Sequence, residues 1–180
     1  MITRILLTLS LSLFVGFSAQ AQSRDHLTQQ EVDLVKEAQI LDKRIDVFIK
    51  ATERRMMVIN NSATANAKQL KKDSERWGEL PTGSRAELVS DIARILDEAI
   101  TNIDDVSARD EHNPLIGKSL RKLAQAVNSI MTQLKPLSAQ AKGEAEVASF
   151  ELLNEDAQSI LEAVNKLPPE VVDKKGKTKN

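Results

Sequence analysis

Val89, Ile92, Leu96, Ala99, Ile103 and Val106 follow one another at alternating steps of three and four. Only an α-helix brings such positions onto one face, and a face this apolar must be buried against others of its kind. The same spacing recurs along the chain. Val35, Ala38, Leu41, Ile45, Phe48, Thr52, Met56 and Ile59 define a seam over about 29–60. Ile116, Leu120, Leu123, Val127, Ile130, Met131 and Leu134 define another, and Phe150, Leu153, Ala157, Ile160, Val164 and Leu167 a fourth. No stretch alternates with period two between turn signals, so no strand is expected.

End signals agree with these spans. Thr28 with Glu31, and Ser84 with Glu87, have the spacing of a capping box, placing helix starts at 29 and at 85. Asn113 followed by Pro114 suits a third start. Arg109 closes the second helix, and Pro136 is expected to kink or end the third. The fourth runs from Glu144 to Leu167, where Pro168 and Pro169 stop it. The stretch 61–77 has good helix formers but a thin apolar face, so it either extends the first helix or stays loose before Gly78, Pro81 and Gly83. Four such helices predict an all-α fold, an antiparallel four-helix bundle with a long first helix and coiled-coil-like seams. Three helices with the fourth docked outside, or a dimer sharing seams, also satisfy the pattern.

The first residues differ from the rest. One charge, Arg4, precedes an apolar run from Ile5 to about Phe17, and Ala19-Gln20-Ala21 follows. This is the pattern of a secretory signal peptide, with cleavage expected after Ala21. The run is too short to favour a membrane-spanning helix, which takes about 20 apolar residues. The expected organisation is a signal peptide over 1–21, a helical domain over 22–168 and a disordered basic tail over 169–180, in a protein exported to the periplasm or beyond, with no stable membrane anchor after cleavage. Lys174, Lys175, Lys177 and Lys179 make the tail basic and chiefly solubilising.

Composition narrows the chemistry. There is no cysteine, which removes thiol catalysis, disulfides and thiolate metal sites together. The net charge of −1 gives no basic field for nucleic acid. Only two histidines occur, His26 and His112, neither with an acid three residues before it nor a partner four residues on. Both read as solvated surface residues, so no metal ligands, no haem and no other cofactor are expected. A catalytic triad would need one of them, and no GxSxG, GxGxxG or GxxxxGK[ST] accompanies them. No catalytic, cofactor or metal residues are therefore assigned, and no enzyme is expected. The acids of "DEAITNIDD" read as a solvated face. The single tryptophan, Trp77, lies in a loop on this reading and packs over the end of the bundle.

Three arginines inside the first seam need partners. On a wheel of 100° per residue with Leu41 at zero, Arg55 falls at about −40° and Arg44 at about −60°, at the edge of the apolar arc; Arg54 falls at about −140°, toward water. Arg44 and Arg55 are expected to lay their stems along the seam and to pair with carboxylates, Glu37 or acids of a neighbouring helix such as Asp91, Glu98 or Asp105. An anion site formed by the two is the functional alternative.

Two resemblances accompany these features. "AQILDKRIDVFIKATERR", "WGELPTGSRAELVSDIARILDEAITNIDD" and "NPLIGKSLRKLAQAV" resemble in order a family of predicted secreted bacterial helical-bundle proteins with no assigned activity. That implies a fold, not a function. "LTQQE" is similar to the start of the LTxxQ signature of CpxP and Spy type periplasmic chaperones, with Glu31 where that signature has Gln. This second resemblance implies binding of unfolded clients. The expectation is an exported helical protein with a structural or partner-binding role in the cell envelope, with a stress-type chaperone as the alternative. A protein partner is compatible with it; neither its identity nor an oligomeric state is legible.

Overall fold

In a computed structural model, which describes residues 24–63 and 67–168, the chain is all-α. Six helices follow one another: α1 (Gln29–Glu37), α2 (Leu41–Ile59), α3 (Ala67–Trp77), α4 (Arg85–Arg109), α5 (Pro114–Ser138) and α6 (Glu144–Asn165). No strand occurs among the described residues. The expected signal peptide over 1–21 and the basic tail over 169–180 lie outside them.

Both capping boxes form as the sequence requires. The Thr28 and Ser84 hydroxyls accept from the backbone N–H of Glu31 and Glu87, whose carboxylates reach back to the cap N–H groups. Asn113 caps α5 and Pro114 opens it. The seams supply the core: Ile45, Phe48, Val89, Ile92, Leu96, Ala99, Leu123, Val127, Leu134, Leu153 and Ile160 are all buried.

The expected single helix over 29–60 is corrected. It breaks at 38–40, where Ala38 (φ −77, ψ 83) and Ile40 (φ −90, ψ 129) leave helical geometry. Neither glycine nor proline forces the break. Side chains take up the freed carbonyls instead: Arg44 Nε donates to Ala38 O at 2.9 Å and Gln39 Nε2 donates to Lys36 O. The stretch after α2 does not extend it either. Asn61 turns left-handed (φ 51), and α3 is a separate helix. Pro136 is carried inside α5, which ends only two residues later at Ser138. A proline this close to the C-terminus removes a single bond and is tolerated. α6 ends at Asn165, two residues before the expected Leu167.

α2, α4, α6 and α5 are packed in that cyclic order, α2 also touching α5. α2 and α5 run the same way, since Asp42 meets Lys118, Asp46 meets Lys122 and Asn60 meets Gln133. α4 opposes α2, with Arg44 on Asn102 and Arg55 beside Asp91. α6 runs with α4, because Arg85 pairs with Glu146 near both N-termini and Asp97 acts on Asp156 farther along. The expected antiparallel four-helix bundle with a long first helix is thus revised. Among the described residues there are six helices, the expected first helix is split, and two of the lateral pairs are parallel. α1 packs on α2 and α3, outside the ring.

Candidate functional site

The densest buried chemistry lies where α1 folds back on α2. Glu31 is 0% exposed and Arg54 and Arg55 are each 1% exposed. Glu31 Oε1 accepts from Arg54 Nε at 3.2 Å and from Arg55 Nη1 at 2.7 Å, while Oε2 accepts the Thr28 N–H at 2.9 Å. In a continuous helix, Glu31 and Arg54 would lie roughly 35 Å apart at 1.5 Å per residue. The break at 38–40 is what lets them meet.

Arg55 also donates to Ala51 O (2.9 Å) and His26 O (2.6 Å), and its Nε lies 3.8 Å from Asp91 on α4. Asp91 Oδ2 accepts from Arg24 Nη2 at 2.7 Å. Arg54 Nη2 donates to the carbonyls of Trp77 (3.1 Å), Gly78 (3.2 Å) and Glu79 (2.5 Å), and its guanidinium sits 5.8 Å from the Trp77 ring centre. It thereby binds the end of α3, where cations are favoured. Gly78 is required there: its φ is +67, and a Cβ would come within 2.9 Å of Gln30.

Burial pushes the Arg54 guanidinium below its usual value, opposed by Glu31. Burial likewise raises the Asp91 carboxyl, against the pull of Arg24 and Arg55. Buried Arg54 and Arg55 face Glu31, and Asp91 is held chiefly by Arg24, whose side chain is 36% exposed, so each buried carboxylate has a cation beside it. The two guanidinium groups donate to one carboxylate, Glu31, and to five backbone carbonyls, while Arg55 Nε has no hydrogen-bond acceptor and only the charge of Asp91 at 3.8 Å. Chemically the cluster is a clasp joining residues 24–31, α2, the end of α3 and α4.

Of the three arginines, Arg55 lies where the sequence places it, and Arg44 and Arg54 do not. Arg55 pairs with acids, including Asp91 as expected. Arg44 does not pair with a carboxylate: it bonds Ala38 O and Asn102 Oδ1. Arg54, expected toward water, is buried, because α1 and the end of α3 cover the flank of α2 that a lone helix would expose. Glu37 and Asp105 are exposed and take no part. Glu98 serves His26 instead, whose Nε2 lies 2.9 Å from Glu98 Oε2; this histidine is half-buried, not solvated as expected. His112 is exposed beside Glu111. Trp77 ends α3 and is half-buried. Glu31 was legible only as a cap. The one signal for more was that neither Arg54 nor Arg55 has an acid three or four residues away, so their partners had to be distant.

The second charged region is the outer side of α6. This helix holds six acidic residues and no basic one, whereas α5 holds four basic residues and no acidic one. Lys118 and Lys122 of α5 are engaged by Asp42 and Asp46, and the Lys118 ammonium holds the Asp42 carboxyl below the usual range. Glu144, Glu151, Glu155 and Glu162 instead lie within about 40° of one another on the wheel. All four are exposed and have no partner among the described residues. Half-buried Asp156 lies at the solvent edge of the α4–α6 seam, with exposed Asp97 of α4 near it. No group of three or more potential metal ligands occurs among the described residues, and no helix there is long and apolar enough to cross a membrane.

The fold and this charge distribution define an all-helical protein with a buried ionic clasp and an unpaired acidic face. No family model, curated protein or solved structure matches the chain.

Proposed function

We propose that this is an exported helical protein of the cell envelope that acts by holding a partner or by a structural role, without catalysing a reaction. Its scaffold on this reading is a four-helix bundle of α2, α4, α5 and α6, with α1 and α3 as an outer brace. The observation that carries the reading is the glutamate stripe of α6. Glu31, Asp42, Asp46 and Asp91 have cations beside them, whereas these four exposed glutamates form one row with no ion pair among the described residues. A row of solvated like charges about 27 Å long, at 1.5 Å per residue over 18 residues, suits a partner with a basic surface and steers it by long-range attraction. Export rests on Arg4, the apolar run and Ala19-Gln20-Ala21.

Titration with a lysine-rich peptide tests the partner reading. Binding is expected at low salt, should weaken steeply as salt rises, and should weaken further in a Glu151→Gln/Glu155→Gln variant. Absence of binding at low salt defeats it. The mass of the exported protein tests the export reading separately, since retention of Met1 to Ala21 is incompatible with cleavage after Ala21.

A chaperone-type activity is the second reading. It is favoured by the groove of about 370 Å³ between α5 and α6, lined by Met131, Leu134, Phe150 and Leu153. Suppression of client aggregation, lost on Met131→Glu, is its expected signature.

A further inference from the structure

α4 and α6 run side by side in the same direction, and Ala86 and Ser90 of α4 with Ala145 and Ser149 of α6 line part of the open groove between their N-terminal ends, beside Glu87, Asp91 and Arg94. Farther along, the same seam reaches Asp156. Its Oδ2 is shielded from solvent and has no hydrogen-bond donor. An ionised carboxylate in that position is a buried acceptor left unmade, which is a costly arrangement.

The charged groups around it add to that cost. From α4, Asp97 acts on it; from its own helix, Glu155 does. α5, packed on the other flank, has no charged residue between Lys122 and Lys135. Arg94, one turn from Asp97, is directed at the carbonyl of Arg24. Nothing described on these three helices answers the negative charge.

We propose that the α4–α6 seam is a pH-operated latch, closed while Asp156 holds a proton and loosened when that proton leaves. The protonated carboxyl carries no charge into the seam and relieves the repulsion from Asp97 and Glu155. The ionised form restores it, and the remedy open to the chain is to part α6 from α4 so that water reaches Oδ2. The proton affinity agrees with the geometry. Burial, then Asp97, then Glu155 push the Asp156 carboxyl up to about 6 from 3.8. That is on the order of a hundredfold in proton affinity. Since the folded value lies above the unfolded one, the native chain holds a proton between these values that the unfolded chain has lost. The stabilisation is complete below about 4 and disappears as pH rises through about 6. This inference rests on the seam and not on the partner reading.

The experiment has two readouts on the full mature chain. The Asp156 side-chain carboxyl, followed by carbon NMR, is expected to titrate near pH 6, and Asp97→Asn should move that midpoint toward lower pH. Amide hydrogen-exchange protection of α6, corrected for intrinsic rate, is expected to fall about tenfold between pH 5 and pH 7.5 while α2 keeps its protection. In Asp156→Asn, α6 should keep its protection at both values. A midpoint near 4, or an equal loss of α6 protection in parent and Asp156→Asn, overturns the latch.

Discussion

Where α1 meets α2, the chain buries charge and answers it; in the α4–α6 seam it half-buries a carboxylate and does not. Glu31 meets two guanidinium groups, and Asp91 meets Arg24 with Arg55 close by. Asp156 meets Asp97 and Glu155. In both regions burial alone pushes the carboxyl up, and the neighbours decide whether that push is opposed, as at Asp91, or reinforced, as at Asp156. The clasp is deeper, and its buried carboxylates have cations beside them. The seam is shallower but unbalanced, so it carries the pH response. One region is fixed and the other adjustable.

Four perturbations would break or sharpen that contrast. The largest effect is expected for Glu31→Ala, which leaves Arg54 and Arg55 facing each other without their shared carboxylate. A loss of about 3–5 kcal/mol by urea melting follows from breaking a buried ion pair on one side. A loss below about 1 kcal/mol would mean that water enters the clasp easily. Arg54→Ala comes next, at about 2–4 kcal/mol, because three carbonyls at the end of α3 lose their donor along with the pair. An effect within about 0.5 kcal/mol, the usual range of a plain surface change, would restore the water-facing register that the wheel alone suggests.

The seam should respond in the opposite direction. Asp156→Asn is expected to raise stability at pH 7.5 by about 1–2 kcal/mol, a value discounted for partial solvent screening, and to have a smaller effect at pH 4.5. A destabilisation at both values would show that Asp156 makes a contact worth keeping. The smallest effect belongs to the tail. Truncation after Pro169 should shift the thermal midpoint by no more than a few degrees, the scale of less than about 1 kcal/mol. Loss of cooperative melting would show that the tail packs on the helices.

Much of the fold was legible because helical seams and caps are local. The three-four spacing of Val89 to Val106, the two capping boxes and the Asn113-Pro114 start fix their helices within a turn or so of sequence. The break at 38–40 was not legible, since Ala38, Gln39 and Ile40 contain no residue that forbids a helix. The parallel course of α4 and α6 was equally hidden: a seam records which face is buried and not the direction of the helix it meets.

The sequence by itself determined that the chain is helical, where most of its helices begin, which residues line the core, and that thiol chemistry has no place in it. These follow from backbone geometry and from side-chain periodicity within a few turns. Only the tertiary structure decided the fate of the charges. Arg54 lies on the water side of an isolated helix and becomes buried when α1 and the end of α3 cover it. Glu31 is a cap in the sequence and the centre of the clasp in space. Asp156 lies among unremarkable surface acids until α4 closes beside it. Hydration and Coulomb energy depend in each case on what stands within a few ångströms, and residues 23 to 59 positions apart in the chain become neighbours only when the helices pack.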